Sequence, residues 1–250
     1  MGIKLLGYSE RGLVNSLFYE LSYNEQGARL LGQLLDQVYF PDWSNSFKIS
    51  KATVLIEQSF SDFGDADAML LIENLGQRQS VFIEAKVKTR KKGEWSLKKE
   101  IIKFDTRIRM KRVSSSNLFT QLYYKHRLAE GIIQKDIDYL VTNGLPFPDW
   151  STKKRTRKLG KNNVVLDATK LMKDYLNAAF FIGIVPDRTE NIEEFVKNEL
   201  AAFTRRSDPN WHWSIRNWGW LSWRAIKEFC ETNDLENTLG NFKHNEGQIY

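Results

Sequence analysis

The sequence predicts an α/β fold. Its centre is a mixed sheet of four to five strands, an antiparallel meander plus a strand delivered by a helical crossover, flanked by helices. Three observations carry this expectation. Two apolar runs, residues 68–72 and 81–87, flank a polar turn containing Gly76, the pattern of a β-hairpin. A strand-like run, residues 51–58, precedes them. Segments with apolar residues at helical spacing lie on both sides of this block, and another strand-like run follows the second set.

In chain order, Ser9 is a plausible N-cap for a helix whose apolar face holds Leu13, Leu17, Phe18 and Leu21, with Glu20 beside that face. Residues 26–39 read as a second helix, with Leu30, Leu31, Leu34, Leu35 and Val38 at core spacing and Pro41 ending it. The strand at 51–58 leads through a turn into the hairpin. Residues 96–110 and 117–131 then read as helices, and 136–142 as the strand after the crossover. A polar stretch through Pro146 and Pro148 reads as a loop. Residues 168–178 read as a helix, 180–185 as a short buried strand stopped by Pro186, and 190–203 as a helix with an acidic first turn. Trp211, Trp213, Trp218, Trp220 and Trp223 are five of the eight tryptophans; they read as packing residues, with residues 220–230 as a closing helix. The organisation expected is a core over 1–190 and a helical, Trp-rich extension over 191–250 packed upon it.

The chain has 250 residues, of which 42% are hydrophobic, enough for a sizeable core without disulfides. Cys230 is the single cysteine, so no intramolecular disulfide can form, which favours a reducing compartment. The first residues lack the apolar stretch of a signal peptide, and no run approaches the ~20 apolar residues that span a bilayer. A soluble cytoplasmic protein with no membrane partner is the expectation. Histidines are scattered at 126, 212 and 244, and a lone cysteine cannot build a zinc site. A Walker A loop, a G-x-S-x-G elbow and a G-x-G-x-x-G fingerprint are all absent, which argues against ATPase, esterase and dinucleotide chemistry.

The net charge is +6 and the pI about 9.2, pointing modestly to a polyanionic partner. The distribution says more. Residues 86–112 hold twelve Lys or Arg against three acids. Residues 153–161, K-K-R-T-R-K-L-G-K, form a second basic cluster, readable as a solvated loop or as a clamp on nucleic acid.

Charge on the hairpin gathers at one end. Asp65 and Asp67 open its first strand; Glu84 and Lys86 close its second. Side chains alternate along a strand, so Glu84 and Lys86 share a face, with α-carbons about 6.6 Å apart. An antiparallel turn near Gly76 carries the acidic opening to the Glu-Lys end. Asp67 joins that face only if it pairs opposite Glu84 or Lys86, since a one-residue slip would turn it away.

This arrangement resembles the PD-(D/E)XK nuclease superfamily, the restriction-endonuclease-like fold. Its signature is an Asp opening the second core strand, followed on the third by Glu or Asp, any residue and Lys. Asp67, Glu84, Ala85 and Lys86 match; the proline of the motif's name is absent. The resemblance implies a helix, a three-stranded meander, a helical crossover and a fourth strand, and a divalent-metal-dependent nuclease acting on nucleic acid, with DNA the expected substrate. It makes Asp67 and Glu84 ligands of Mg²⁺ (or Mn²⁺), with the Ala85 carbonyl as a third candidate. Lys86 would hold or deprotonate the attacking water, or stabilise transition-state charge. It also brings Glu20 to the metal site from the first helix and Gln121 from the helix after the third strand. Lys88, Arg107, Arg109, Lys111, Arg112, Lys125, Lys154, Arg155 and Arg157 are the candidate phosphate contacts. A homodimer, or a protein partner in a larger system, is left open. Two other classes stand beside this one: a nucleic-acid-binding or assembly subunit that keeps the fold without turnover, and an interaction module using the Trp-rich tail.

Overall fold

The computed structural model describes residues 6–41, 46–88, 95–109, 116–146, 156–200 and 217–249. Helices α1 (Ser9–Tyr23) and α2 (Gly27–Leu35) precede strands β1 (Ile49–Ser59), β2 (Asp65–Asn74) and β3 (Gln77–Ala85). Helices α3 (Leu97–Arg109), α4 (Leu118–Gln134) and α5 (Ile137–Thr142) follow, then a two-residue pair, β4 (Leu145–Pro146) with β5 (Thr156–Arg157), and α6 (Asn163–Lys173). The chain returns to the sheet as β6 (Ala179–Val185), leaves through α7 (Thr189–Glu194) and a π-helical turn (Phe195–Leu200), and returns again as β7 (Trp218–Ser222). It closes with α8 (Trp223–Thr232), α9 (Glu236–His244) and α10 (Glu246–Ile249).

The sheet order is β1-β2-β3-β6-β7. The β1-β2-β3 meander is antiparallel, and β6 and β7 add parallel to β3. This is the expected α/β architecture with a five-stranded mixed sheet. Helices cover both faces. On one, Phe119, Leu122 and Leu128 of α4 meet Phe82, Phe181, Trp218 and Trp220. On the other, Leu13 and Leu17 of α1 and Leu31 of α2 meet Val81, Ile83, Phe180 and Ile182. Strand β6, central and covered on both sides, is buried at every residue, as its unbroken apolar run A-F-F-I-G-I-V requires.

Two sequence expectations are corrected. Residues 136–142 are not the crossover strand. They form α5, because the Asp136 side chain accepts a hydrogen bond from the Tyr139 N–H and caps a helix. The crossover runs on through α6, and residues 179–185 are the fourth strand of the sheet. The extension after 190 is not wholly helical either. Trp218–Ser222 is a sheet strand, and the closing helix starts only at Trp223, where the Ser222 hydroxyl accepts from Ala225 N–H. Trp218, Trp220 and Trp223 are buried, the packing role expected of them; Trp211 and Trp213 lie outside the described residues. Among the described residues no helix is long and apolar enough to cross a membrane.

The hairpin turn fixes everything downstream. Asn74 pairs with Gln77, leaving Leu75 and Gly76 as a two-residue loop, both at positive φ (51° and 78°). That is the type I′ turn whose twist matches a hairpin. Glycine adopts it freely; leucine does not, and Leu75 is exposed with no packing gain in return. Leu75→Asn should therefore raise the unfolding free energy by about 0.5–1 kcal/mol. Urea titration would show it as a higher midpoint with an unchanged slope, and an unchanged or lower midpoint would contradict the turn assignment.

Candidate active site

The β2–β3 ladder runs from Asn74↔Gln77 to Ala68↔Ile83. One step further along the same register sets Asp67 opposite Glu84, the pairing that puts both carboxylates on one face. Here the two strands part. In place of a backbone hydrogen bond, the Asp67 carboxylate Oδ2 accepts from the Ala85 N–H at 2.7 Å. On its other side β3 stays paired to β6: Glu84 lies level with Gly183, and the Lys86 N–H donates to the Ile184 carbonyl at 2.8 Å. The Lys86 carbonyl accepts from Trp223 Nε1 at 2.7 Å, which holds the strand end against α8. Asp67 and Lys86 are half-buried, whereas Glu84 is fully buried behind them.

Helix α4 closes the site from above. A Cβ at Gly183 would stand 2.9 Å from the Trp220 ring and 3.2 Å from Leu118 of α4, so the glycine is what lets Trp220 and this helix come close at the level of Glu84. Gln121 and Lys125 lie one turn apart on α4 and share a helical face. The Lys125 ammonium reaches Glu84 Oε1 at 3.0 Å and donates to the Phe63 carbonyl at 3.1 Å, and neither charged side chain has any solvent exposure. Among the described residues, Gln121 Oε1 and both Glu84 oxygens are buried without a hydrogen-bond partner of good geometry; Oε1 has the Lys125 ammonium as an ion-pair contact, and Oε2 has none. Burial pushes the Glu84 carboxyl above its ordinary range. Lys125 opposes that shift, Asp67 adds to it and Lys86 opposes it, so all three charges act on this one group.

The remaining candidates divide. Glu20 does not join this group. Its carboxylate accepts from the Asn237 and Thr238 N–H groups at 3.0 and 2.9 Å and from the Thr238 hydroxyl at 2.6 Å, capping α9 among the helices of the opposite face. The alternation that set it beside the apolar stripe of α1 could not reveal that a later helix would dock there. Lys125 is no surface phosphate contact, because it is buried in the ion pair. Arg157 is spent on structure: its guanidinium lies 3.9 Å over the Tyr124 ring and donates to the Tyr124 hydroxyl and the Asp62 carbonyl. Lys88 follows β3, half-buried; Arg107 and Arg109 fall in the last turns of α3. Lys111, Arg112, Lys154 and Arg155 lie outside the described residues. The residue that sequence reasoning misplaced most is Lys125. Its local signal was weak: Tyr123, Tyr124, Leu128 and Ala129 stand around it, but α4 also carries His126, Arg127 and Glu130.

The donor set suits a small hard cation. Mg²⁺ takes one or two carboxylates and keeps its waters. Asp67 and Glu84 supply two, and Oε2, unpartnered among the described residues, is an oxygen that a cation would satisfy. Among the described residues no group of three or more His, Cys, Asp or Glu could hold a metal by itself. Compared with protein-family models, curated proteins and solved structures, the chain matches none.

The buried pair has a measurable consequence. Lys125→Met strands a buried carboxylate and should cost about 3 kcal/mol of stability near neutral pH without divalent cation. In the folded protein burial raises the Glu84 carboxyl above its ordinary value. Such a group contributes fully below the unfolded value and loses that contribution as pH rises through the folded one. The deficit of Lys125→Met should therefore shrink on acidification. Glu84→Gln/Lys125→Met, which removes both charges, should lie within about 1 kcal/mol of wild type. A double variant as unstable as the single one, or a deficit indifferent to pH, would show that the ion pair is not what the core depends on.

Proposed function

We propose that this chain is a divalent-metal-dependent nuclease of the PD-(D/E)XK type, a cytoplasmic phosphodiester hydrolase acting on nucleic acid, with DNA the first substrate to try. The observation that supports it best is the cluster at the splayed hairpin end: Asp67 and Glu84 lie one step beyond the last paired residues, Ala68 and Ile83, Asp67 is tied to the Ala85 N–H, and Lys86 is two residues on from Glu84 along the strand. An ordinary surface ion pair gives no reason for two carboxylates to sit side by side, one of them wholly buried.

Phosphodiester hydrolysis needs a nucleophilic water and an answer to charge building on the phosphate. Mg²⁺ or Mn²⁺ held by Asp67 and Glu84 would polarise a phosphate oxygen and lower the pKa of bound water. The chain's own residues do the positioning. The Ala85 N–H fixes the Asp67 carboxylate through Oδ2. Lys86, half-exposed at the strand end, would orient the attacking water or meet the developing charge. Gln121 Oε1, without a donor among the described residues, would be an acceptor for a site water. The +9 balance of residues 86–112 would favour a polyanionic partner.

One observation favours a second reading, a nucleic-acid-binding subunit without turnover: Glu84 already has a cation in Lys125, and no third acid stands beside it among the described residues. A cleavage panel separates the two. Circular, linear and single-stranded DNA, and RNA, are incubated with Mg²⁺, Mn²⁺ or chelator. Cleavage should need the cation, and Asp67→Ala or Lys86→Ala should each lower its rate by roughly 100-fold or more. Lys86→Ala should still bind the cation. Binding without cleavage on every substrate, with both cations, would favour the second reading.

A further inference from the structure

Four charged side chains meet at the splayed hairpin end, and they already balance. Asp67 and Glu84 carry two negative charges; Lys86 and Lys125 carry two positive ones. A site meant only to collect a dication would keep its carboxylates unanswered, since net negative charge is what draws the ion in. Here the deepest carboxylate is answered from within the fold. Lys125 has no solvent exposure, and its ammonium spans Glu84 Oε1 at 3.0 Å and the Phe63 carbonyl at 3.1 Å.

The answer is also incomplete. The ammonium meets one oxygen of Glu84, and Oε2 is left buried with no donor among the described residues. An unsatisfied charged oxygen in a closed interior is costly, and a dication lying between Oε2 and Asp67 would remove that cost. It could not leave the Lys125 contact unchanged. Two cations on one carboxylate repel strongly where water is excluded. Lys125 is built to yield: its flexible four-carbon stem can swing, and the Phe63 carbonyl remains as a partner when Glu84 is taken. Phe63 belongs to the turn just before β2, so the ammonium stays tethered beside the strand that carries Asp67.

We propose that the Lys125 ammonium is a resident counter-ion at Glu84 that a divalent cation must displace, so that the cation-free and cation-loaded forms are two exclusive arrangements of one carboxylate. This inference rests on the reading of Asp67 and Glu84 as cation ligands. The pair keeps the metal-free protein folded around a buried carboxylate, and it sets a threshold of cation concentration below which the site stays in the lysine-bound form.

Calorimetric titration with Mn²⁺ tests it on the full chain. Lys125→Met should bind Mn²⁺ roughly 10-fold or more tightly than wild type, because the competing charge is gone. Equal or weaker binding by Lys125→Met, with wild type binding normally, overturns the displacement while leaving the cation ligands in place. No binding by either protein removes both the ligand assignment and this inference. Should Lys125→Met fail to fold, the wild type still decides. The Lys125 ammonium resonance, slowed in exchange by burial, is followed by ¹⁵N NMR during addition of diamagnetic Mg²⁺. It should shift with the same midpoint as the binding isotherm, and a resonance unmoved through saturation overturns the proposal.

Discussion

A carboxylate with no access to water must find a cation or give up its charge, and the structure is arranged around how Glu84 meets that demand. It sits on β3, at the join between the antiparallel and the parallel halves of the sheet. The neighbouring strand offers another carboxylate, Asp67, which only sharpens the problem. Relief comes from the covering layer, where Lys125 descends from α4. Gly183, bare of a side chain, leaves room for both Leu118 of that helix and the ring of Trp220 at this level. Packing, register and charge are thus one constraint seen from three sides.

Much of this was legible in the sequence where the cause is local. The two-residue turn at Leu75 and Gly76, the alternation of the flanking runs and the clustering of acids at one end are all short-range facts, and they fix which face Asp67 and Glu84 share. What was not legible depended on partners far along the chain. Residues 136–142 carry the apolar character of a strand, yet Asp136 caps them into a helix. Trp218 and Trp220 alternate as a strand should, but a helical run follows at once, and Ser222 marks the boundary that composition blurs. Glu20 lies where a site residue could be, but a helix more than two hundred residues later takes it as a cap.

The ends of the described chain are fastened in a way that bears on the same face as Glu20. The Ser9 N–H donates to the Asn245 side chain, whose amide in turn donates to the Gly7 carbonyl, and Asn241 accepts from the Gly7 N–H. Together with the Glu20 cap, these bonds commit α1 to supporting α9. The site is left to be built from β2, β3 and α4, with α8 bracing the strand end through Trp223 and Lys86. A helix that could have contributed chemistry contributes stiffness instead.

The sheet's change from antiparallel to parallel at β3 also sets an order in time. The meander pairs near neighbours in sequence, with Asn74 meeting Gln77, whereas β3 waits for β6, with Ser80 meeting Ala179. Closing short loops is fast and closing long ones is slow. Asp67 and Glu84 are therefore brought side by side early, still hydrated, on a ribbon covered by little else. Only when α4 lies down does water leave Glu84, and Lys125 must be in place at that moment. Docking of α4 is thus the step at which the desolvation cost falls due, so the search for its seat is where a folding chain would linger. Pulsed hydrogen exchange would show it as amides of β2 and β3 protected before those of α4; simultaneous protection would refute the order.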